Sequence, residues 1–285
     1  MSDTTVNEFP RKKASLPSDM EQVKVVAKYD ILKYMRSRRL LGILVIETLV
    51  LLLITAVLAT SNRTYTADEV VGQYTSFVSI LIILGATLFG GDAIVSEFQG
   101  RTGYLLFPNP VKKVSILVGK FLSSLAAMGL MLIIYYAVAI IAGLALGNGL
   151  STLAFASLGL AMLYGIAALA VAYLISSVMK GSTGALILTF AMFLFVFNIV
   201  TSLIGALGGI KPWFMIDFAG STLSYITSNP YPVDSVQTID IGGGQTFTSY
   251  LFYPDIGVSI AVMIAYTVVA LFLAYVFFKR REMSA

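Results

Sequence analysis

The chain has 285 residues, of which 58% are hydrophobic and 12% are charged, and its formal net charge is +4. A soluble domain carries about a quarter charged residues, so this composition excludes one and indicates a polytopic, all-α membrane protein. The absence of Cys and His excludes disulfides, thiolate nucleophiles, His metal ligands and Ser-His triads, and the modest positive charge does not indicate nucleic-acid binding.

The N-terminal region divides into two parts. Residues 1–19 are polar, include Pro10 and Pro17, and are interpreted as a flexible cytoplasmic tail and not as a signal peptide. Residues 20–39 have apolar positions at helical spacing with basic residues between them, which predicts an amphipathic helix in the membrane interface. An ordinary solvated helix is the alternative. The predicted apolar stripe consists of Met20, Val23, Ala27, Ile31 and Met35.

Six apolar runs follow within residues 40–278, each long enough to cross a bilayer as a helix. The predicted spans are residues 40–59, 74–95, 115–146, 153–179, 184–207 and 256–278. The third exceeds the roughly 20 residues that a bilayer requires, so we expect it to tilt or to project beyond the membrane. Small residues recur at spacings near four in the fourth run, which indicates close helix packing.

The distribution of Lys and Arg predicts the orientation. With the N-terminus inside, 17 of the 19 basic residues lie in cytoplasmic segments, and only Arg63 and Lys211 lie outside. Both termini, including the tail at residues 279–285, are therefore expected in the cytoplasm, with the protein in the cell membrane.

The segment 97–114 is a polar, turn-rich interruption between the second and third spans. Pro108 and Pro110 prevent a helix from running through it, and Gly100 and Gly103 permit a tight turn. We expect a short cytoplasmic surface helix followed by an elbow, which another protein could move. Glu97 is placed to cap that helix, and Arg101 could pair with Glu97 or with a partner protein.

The outer loop 208–255 is much longer than the other predicted outer loops. Two alternating runs around Gly242-Gly243-Gly244 predict a β-hairpin. The glycines lack the Lys-Ser/Thr of a phosphate loop. Residues 216–225 could form a short helix that dips into the outer leaflet.

Few polar side chains lie inside the predicted spans. Glu47 lies about 10 Å deep in the first span, at about 1.5 Å per residue. It is either a substrate or coupling contact, or a structural partner of a neighbouring helix or of the Arg38-Arg39 end. Asn198 in the fifth span is expected to hydrogen-bond across helices, with a pathway contact as the alternative. Asp92 is expected at the inner interface, paired with a cytoplasmic Lys or Arg.

These features together resemble the permease subunit of an ABC transporter of the ABC-2 type. The resemblance runs from about Glu21 to Glu282, and its most specific part follows the second span. That part departs from the family pattern in two ways: Arg101 separates Gly100 from Thr102, and the family's second carboxylate, after the Thr, is absent. The residues that resemble the family's coupling pattern are Glu97, Phe98, Gln99, Gly100, Arg101, Thr102, Gly103, Leu105, Leu106 and Pro108, followed by Gly119-Lys120 at the start of the third span.

The resemblance implies that the segment after Glu97 is a coupling helix seated in a groove of a separate ATPase subunit. Two permeases, identical or homologous, and two ATPases would form the transporter, with the pathway lined by the second and fifth spans and with export as the direction. ATP and Mg would be bound by the ATPase, with no cofactor on this chain. The chain itself has no G-x-x-x-x-G-K-[ST] motif, so it is not expected to be an enzyme.

Two other classes of protein are alternatives to this one. A stand-alone secondary transporter or channel would require intramembrane ionisable groups and broken helices, and Glu47 is the one deep candidate. An intramembrane enzyme would need a catalytic set that the sequence does not show. Copurification of an ATPase would discriminate the permease from both.

Overall fold

The computed structural model describes residues 18–99, 112–242 and 245–281. Within these ranges six helices are long and apolar enough to cross a membrane, which confirms the predicted fold class. The spans are Arg38–Thr60, Ala67–Gln99, Lys113–Leu146, Leu153–Val178, Ser182–Ala206 and Ile256–Arg280. We call the side of the bundle where Gln99, Lys113 and Arg280 lie the terminal side, and the opposite side the hairpin side.

The elements follow one another along the chain with three π-helical stretches inside the second and fifth spans. The helices are α1 (Asp19–Met35), α2 (Arg38–Thr60), α3 (Ala67–Gly85), α4 (Val95–Gln99), α5 (Lys113–Leu146), α6 (Leu153–Val178), α7 (Ser182–Ala191), α8 (Asn198–Ser202), α9 (Ile216–Tyr225) and α10 (Ile256–Arg280). The strands are β1 (Ser235–Gly242) and β2 (Gln245–Leu251). The π-helical stretches are Ala86–Gly90, Met192–Phe197 and Leu203–Leu207.

The N-terminal helix α1 packs against the third span, α5. The two helices cross closely at Gly119, where a Cβ atom would lie 2.8 Å from the Val26 Cβ. Of the predicted apolar stripe, Met20, Ile31 and Met35 are exposed and Val23 and Ala27 are partly buried, so the stripe does not form one contact surface with the bundle. The face that packs on α5 instead includes Asp30, which forms an ion pair with Lys120, as described below. The interfacial position of α1 stays a prediction.

The second span begins at Ala67, seven residues before the predicted start at residue 74. Asp68 and Glu69 lie in the first turn of the helix, where acidic residues stabilise it. Thr66 caps this helix, and the Glu69 carboxylate accepts from the Thr66 backbone N–H at 2.9 Å in a capping box. The polar residues therefore start the helix and do not precede it.

The fourth span, α6, is the centre of the bundle and contacts the second, third and sixth spans. Most of its predicted small residues permit these contacts, since Ala154, Ala161, Gly165, Ala168 and Ala172 are buried, whereas Gly159 is exposed and is not a packing position. The fifth span differs, because half of its large apolar side chains are exposed. Its π-helical stretches interrupt regular helical bonding, a feature that often accompanies functional sites.

The long loop after the fifth span contains the two predicted elements. Residues Ile216–Tyr225 form α9, which packs against α3, α6 and α10. The two strands pair antiparallel from Ser235 opposite Leu251 to Gly242 opposite Gln245, with an irregularity between Asp240 and Gly242. Lys211 forms ion pairs with Asp234 at 2.9 Å and Asp255 at 3.0 Å, which hold the base of the hairpin.

Candidate functional site

The short helix α4 is the described beginning of the predicted coupling segment. Its last three residues, Glu97, Phe98 and Gln99, each contact a different part of the bundle, as the next paragraphs show. The other predicted coupling residues lie outside the described residues: Gly100, Arg101, Thr102, Gly103, Leu105, Leu106 and Pro108. The cap predicted for Glu97 and its pairing with Arg101 involve the same undescribed segment.

Glu97 belongs to a buried charge cluster. Its Oε1 atom accepts from Lys120 Nζ at 2.6 Å, and the same ammonium donates to Asp30 Oδ2 at 3.0 Å. The side chains of Lys120, Glu97 and Asp30 are only 6%, 13% and 15% exposed. Charges this poorly solvated are stable only when they are paired and hydrogen-bonded. Lys120 therefore joins α1 and the start of the coupling segment to the third span.

Phe98 links the segment to the sixth span. Its ring meets the Phe278 ring edge to face, with centroids 6.0 Å apart. The Arg281 guanidinium lies 4.2 Å above the Phe98 ring centroid, a distance at which a cation is attracted to the aromatic face. The end of the sixth span thus contacts both the edge and the face of one side chain of the segment.

Polar bonds also connect the segment to the fourth and fifth spans. The Gln99 Oε1 atom accepts from the Ser182 backbone N–H at 2.8 Å, at the first turn of α7. The Ser176 hydroxyl of α6 accepts from the backbone N–H groups of Ile94 and Val95 at 3.0 and 3.1 Å. These N–H groups lie where the second span turns before α4, so the hydroxyl satisfies donors that a helix start leaves unpaired.

A second set of polar contacts lies next to this cluster, closer to the middle of the second span. Asp92 forms an ion pair with Arg39 at 2.8 Å, which confirms the predicted pairing with a basic residue. The Tyr34 hydroxyl donates to the Phe89 carbonyl at 2.8 Å, and the Ser124 hydroxyl bonds both Tyr34 and Tyr173. The Phe89 carbonyl belongs to a π-helical stretch, so these bonds fix α1 against an irregular turn of the second span.

Lys120, Asp30, Phe278 and Arg281 were not among the predicted site residues. The sequence identified Lys120 only as part of the Gly119-Lys120 pattern and as one of the basic residues expected in the cytoplasm. An ammonium within an apolar run was the available signal, because such a charge requires a buried partner. Its partners were not predictable from local spacing, since Asp30 and Glu97 are far from Lys120 in sequence.

A pocket of about 270 Å³ lies among the second, fourth and fifth spans and α9. One part of its wall is polar, with Asp217 as its charged residue, and another part is apolar. The lining residues are Ser79, Ile83, Tyr164, Phe193, Leu194, Asn198, Thr201, Asp217, Phe218 and Ser221. Asp217 accepts from the Thr201 hydroxyl at 2.7 Å. Asp217 was not among the predicted site residues, because the short helix predicted at residues 216–225 does not by itself indicate which spans it packs against.

The two polar residues predicted inside the spans have different surroundings. Asn198 is exposed and lines the pocket, and its side-chain amide makes no hydrogen bond with a described residue, so the expected interhelical bond is not observed there. Glu47 is only 1% exposed and lies in the buried stripe of α2. Neither of its oxygens has a hydrogen-bond partner in the described part of the chain. The proposed bond from Glu47 to the Arg38-Arg39 end is therefore wrong, and Arg39 binds Asp92 instead.

Comparison with known proteins agrees with this arrangement of spans. No curated protein matches the chain. A family model described as ABC-2 family transporter protein matches residues 24–283. This match includes α1 from residue 24 onward, the six spans, the segment after Glu97 and the hairpin, so the chain belongs to the ABC-2 transporter family.

Proposed function

We propose that this chain is the membrane subunit of an ABC exporter, which forms the substrate pathway and receives motion from a separate ATPase subunit. Two copies of the ATPase, which binds ATP and Mg, act with two permease chains, identical or homologous. Both termini face the cytoplasm of the cell, with lipid around the spans. The observation that carries this proposal is the set of contacts around α4.

A force on the segment after Gln99 enters the bundle through α4. Glu97 is bonded through Lys120 to the third span and α1, Phe98 contacts the sixth span, and Gln99 bonds the start of the fifth. Buried charge pairs and ring contacts of this kind have few alternative geometries, so displacement of α4 displaces the helices that it contacts. A segment that only anchored the chain to lipid headgroups would not require these connections.

Two pockets between the second span and α9 support the pathway. The pocket that contains Asp217 is lined by Ser79 and Ser221, while a pocket of about 660 Å³ on the hairpin side is lined by Ser76 and Ser224. Ser76 and Ser224 lie about one helical turn from Ser79 and Ser221, toward the hairpin side. The Ser224 hydroxyl donates to the Thr75 carbonyl at 2.9 Å between the two helices. Separation of α9 from the second span would connect the pockets toward the outside.

The ATPase interaction is tested by copurification and by transport in vesicles, measured on the same preparations. Glu97→Ala and Arg101→Glu are expected to leave the protein inserted in the membrane, while they weaken ATPase retention or separate ATP hydrolysis from transport. Arg63→Glu on the hairpin side is the charge-matched control and should retain the ATPase. Normal retention together with normal transport in both coupling variants would refute the proposed role of this segment.

The orientation is tested with single cysteines, since the chain has none of its own. Cysteines at Ser61, Asn148 and Ser235 should react with an impermeant maleimide in intact cells. Those at Ser18, Thr102 and Ser182 should react only after permeabilisation. External reaction at Thr102 or Ser182 would place the coupling segment on the wrong side for an ATPase.

A further inference from the structure

The Asp217 carboxylate faces a pocket without a cation to neutralise it. Among the described residues no ion pair includes Asp217, and its described side-chain partner is the neutral Thr201 hydroxyl. The basic residue nearest in sequence, Lys211, is already bound to Asp234 and Asp255. Asp217 is partly buried, and a carboxylate withdrawn from water is normally paired or coordinated. The pocket therefore has one negative charge that the described chain leaves uncompensated.

The position of Asp217 is fixed by the packing of α9. Gly220 permits contact with Tyr164 of the fourth span, because a Cβ at Gly220 would lie 2.7 Å from that ring. The Thr222 hydroxyl donates to Ser259 of the sixth span at 2.8 Å, and Ser224 bonds the second span. These contacts hold α9 on three sides, so Asp217 is preorganised at the pocket wall.

Helix capping gives a simpler explanation for an acid at this position. Asp217 lies in the first turn of α9, where a negative charge interacts favourably with the helix dipole. Burial raises the pKa of Asp217, although the Thr201 hydroxyl and the backbone N–H groups of the first turn oppose this rise. Capping does not account for the rest of the pocket, where the exposed amide of Asn198 has no described partner and Ser79 faces the same space.

Another part of the pocket lining is apolar and aromatic. Ile83, Phe193, Leu194 and Phe218 line it, and the cavity of about 270 Å³ is smaller than a site that encloses a drug-sized molecule. An inorganic cation prefers several oxygen ligands and gains nothing from apolar contacts. An ammonium joined to an apolar group can pair with the carboxylate and also pack on the apolar lining.

On the basis of the proposed function, we infer that this pocket binds the positively charged end of the substrate, an organic amine whose ammonium pairs with Asp217 while its apolar part packs on Phe193 and Phe218. Asn198 and Ser79 supply neutral hydrogen-bonding groups on the side of the second and fifth spans. The substrate class is therefore a cationic amphipathic molecule.

The test uses the full chain in lipid nanodiscs without the ATPase. A single Ser79→Cys provides a thiol in the pocket, and its rate of maleimide alkylation reports occupancy. The probes are phenethylamine, which is protonated at neutral pH, and phenethyl alcohol, which has the same shape without the charge. Phenethylamine should slow alkylation saturably, and phenethyl alcohol should do so only at concentrations about tenfold higher or more.

Asp217→Asn in the same background separates the charge from the cap, because Asn also caps helices. It should raise the half-protecting concentration of phenethylamine about tenfold or more and leave that of phenethyl alcohol unchanged. Asp234→Asn, which removes an acid outside the pocket, should change neither, and the thermal midpoint of each variant shows that it is folded.

Three results would overturn the inference: equal protection by the two probes, no protection by either, or unchanged protection by phenethylamine in Asp217→Asn. Protection by sodium chloride but not by phenethylamine would assign an inorganic cation and would also overturn it. Because the measurement requires no ATPase, such a failure together with normal ATPase copurification would remove the substrate class and leave the permease function in place.

Discussion

Glu97 on the terminal side and Asp217 toward the hairpin side are both poorly solvated carboxylates, but their partners differ. Glu97 shares the Lys120 ammonium with Asp30, and the three side chains connect α1, α4 and α5. Asp217 has a described hydrogen bond from a hydroxyl and faces a cavity. The first arrangement holds helices together, whereas the second leaves an interaction available to a ligand.

Glu47 extends the comparison to an acid with no described partner at all. Its two oxygens are buried among the apolar residues of the α2 stripe. Burying a polar group without a hydrogen bond costs about 1–3 kcal/mol on the scale of protein mutations. The three acids thus form a series in which compensation decreases from Glu97 to Asp217 to Glu47, and the substitutions below test the Glu97 cluster, Glu47 and, for contrast, an exposed acid at the base of the hairpin.

The largest effect is expected from Lys120→Met. This change leaves Asp30 and Glu97 facing each other without their shared cation, and breaking a buried ion pair by removing one partner costs about 3–5 kcal/mol. We expect a lower thermal midpoint and loss of ATPase retention. Glu97→Gln should cost less, because the Lys120–Asp30 pair remains.

The triple variant Lys120→Met with Asp30→Asn and Glu97→Gln removes all three charges together. It should regain most of the thermal stability, since no buried charge remains unpaired. Coupling should stay impaired, because the links among α1, α4 and α5 are gone. Thermal stability in Lys120→Met equal to that of the unaltered chain would show that the cluster is not structural.

A smaller loss is expected from Gly119→Ala, which tests how Asp30 reaches Lys120. The added Cβ would lie 2.8 Å from the Val26 Cβ and 3.0 Å from the Val23 carbonyl oxygen, so α1 must shift. Overpacking of this kind costs about 1–3 kcal/mol. Val26→Ala in the same chain removes the Val26 Cγ1 atom, which would lie 2.9 Å from the added Cβ, and should recover part of the loss. Gly159→Ala is the matched control, because its Cβ would meet nothing within 4 Å, and thermal melts should show no loss there.

Local sequence signals predicted the elements of this fold well. Apolar runs identified the six spans, small residues identified the packed face of α6, and the glycines of the outer loop identified the hairpin. The largest difference in bounds is at the start of the second span, where the helix begins at Ala67 and its first turn contains Asp68 and Glu69, so hydrophobicity alone does not reveal this turn.

The contacts of the candidate sites were much less predictable. Lys120 bonds Asp30 and Glu97, which are 90 and 23 residues away in sequence, so the cluster depends on how three helices pack. Asp217 becomes a pocket residue only because α9 folds back between spans. A single sequence contains the charge of each residue but not the residue that it faces, which is why Glu47 kept two interpretations until its surroundings were seen.

Glu47→Leu should raise stability instead of lowering it. The substitution replaces a buried carboxyl that lacks a described partner with an apolar side chain in an apolar stripe, which should stabilise this conformation by about 1–3 kcal/mol. If Glu47 finds a partner in another conformation of the transport cycle, transport should fall while the thermal midpoint rises. Ile43→Leu, a nearly isosteric change in the same stripe, is the control. A lower midpoint in Glu47→Leu would mean that the carboxyl is satisfied in the membrane.

The smallest effect is expected at the base of the hairpin, where the acids are exposed. Partial burial would raise the pKa of Asp234, but the Tyr253 backbone N–H and the Lys211 ammonium outweigh it and hold the pKa below its ordinary value. A carboxyl with a depressed pKa stabilises the fold above its unfolded pKa of about 4 and loses that contribution as the pH falls through the folded value. Because such exposed pairs contribute about 0–1 kcal/mol, acid should loosen the hairpin without unfolding the spans.

Limited proteolysis between pH 6 and pH 3, with an acid-active protease, should show faster cleavage near residues 235–251 at the lower pH. Asp234→Asn should cleave faster already at pH 6 and respond less to acid, whereas Asp217→Asn should follow the unaltered chain. An equal acid response in Asp234→Asn and the unaltered chain would show that this carboxyl does not hold the hairpin.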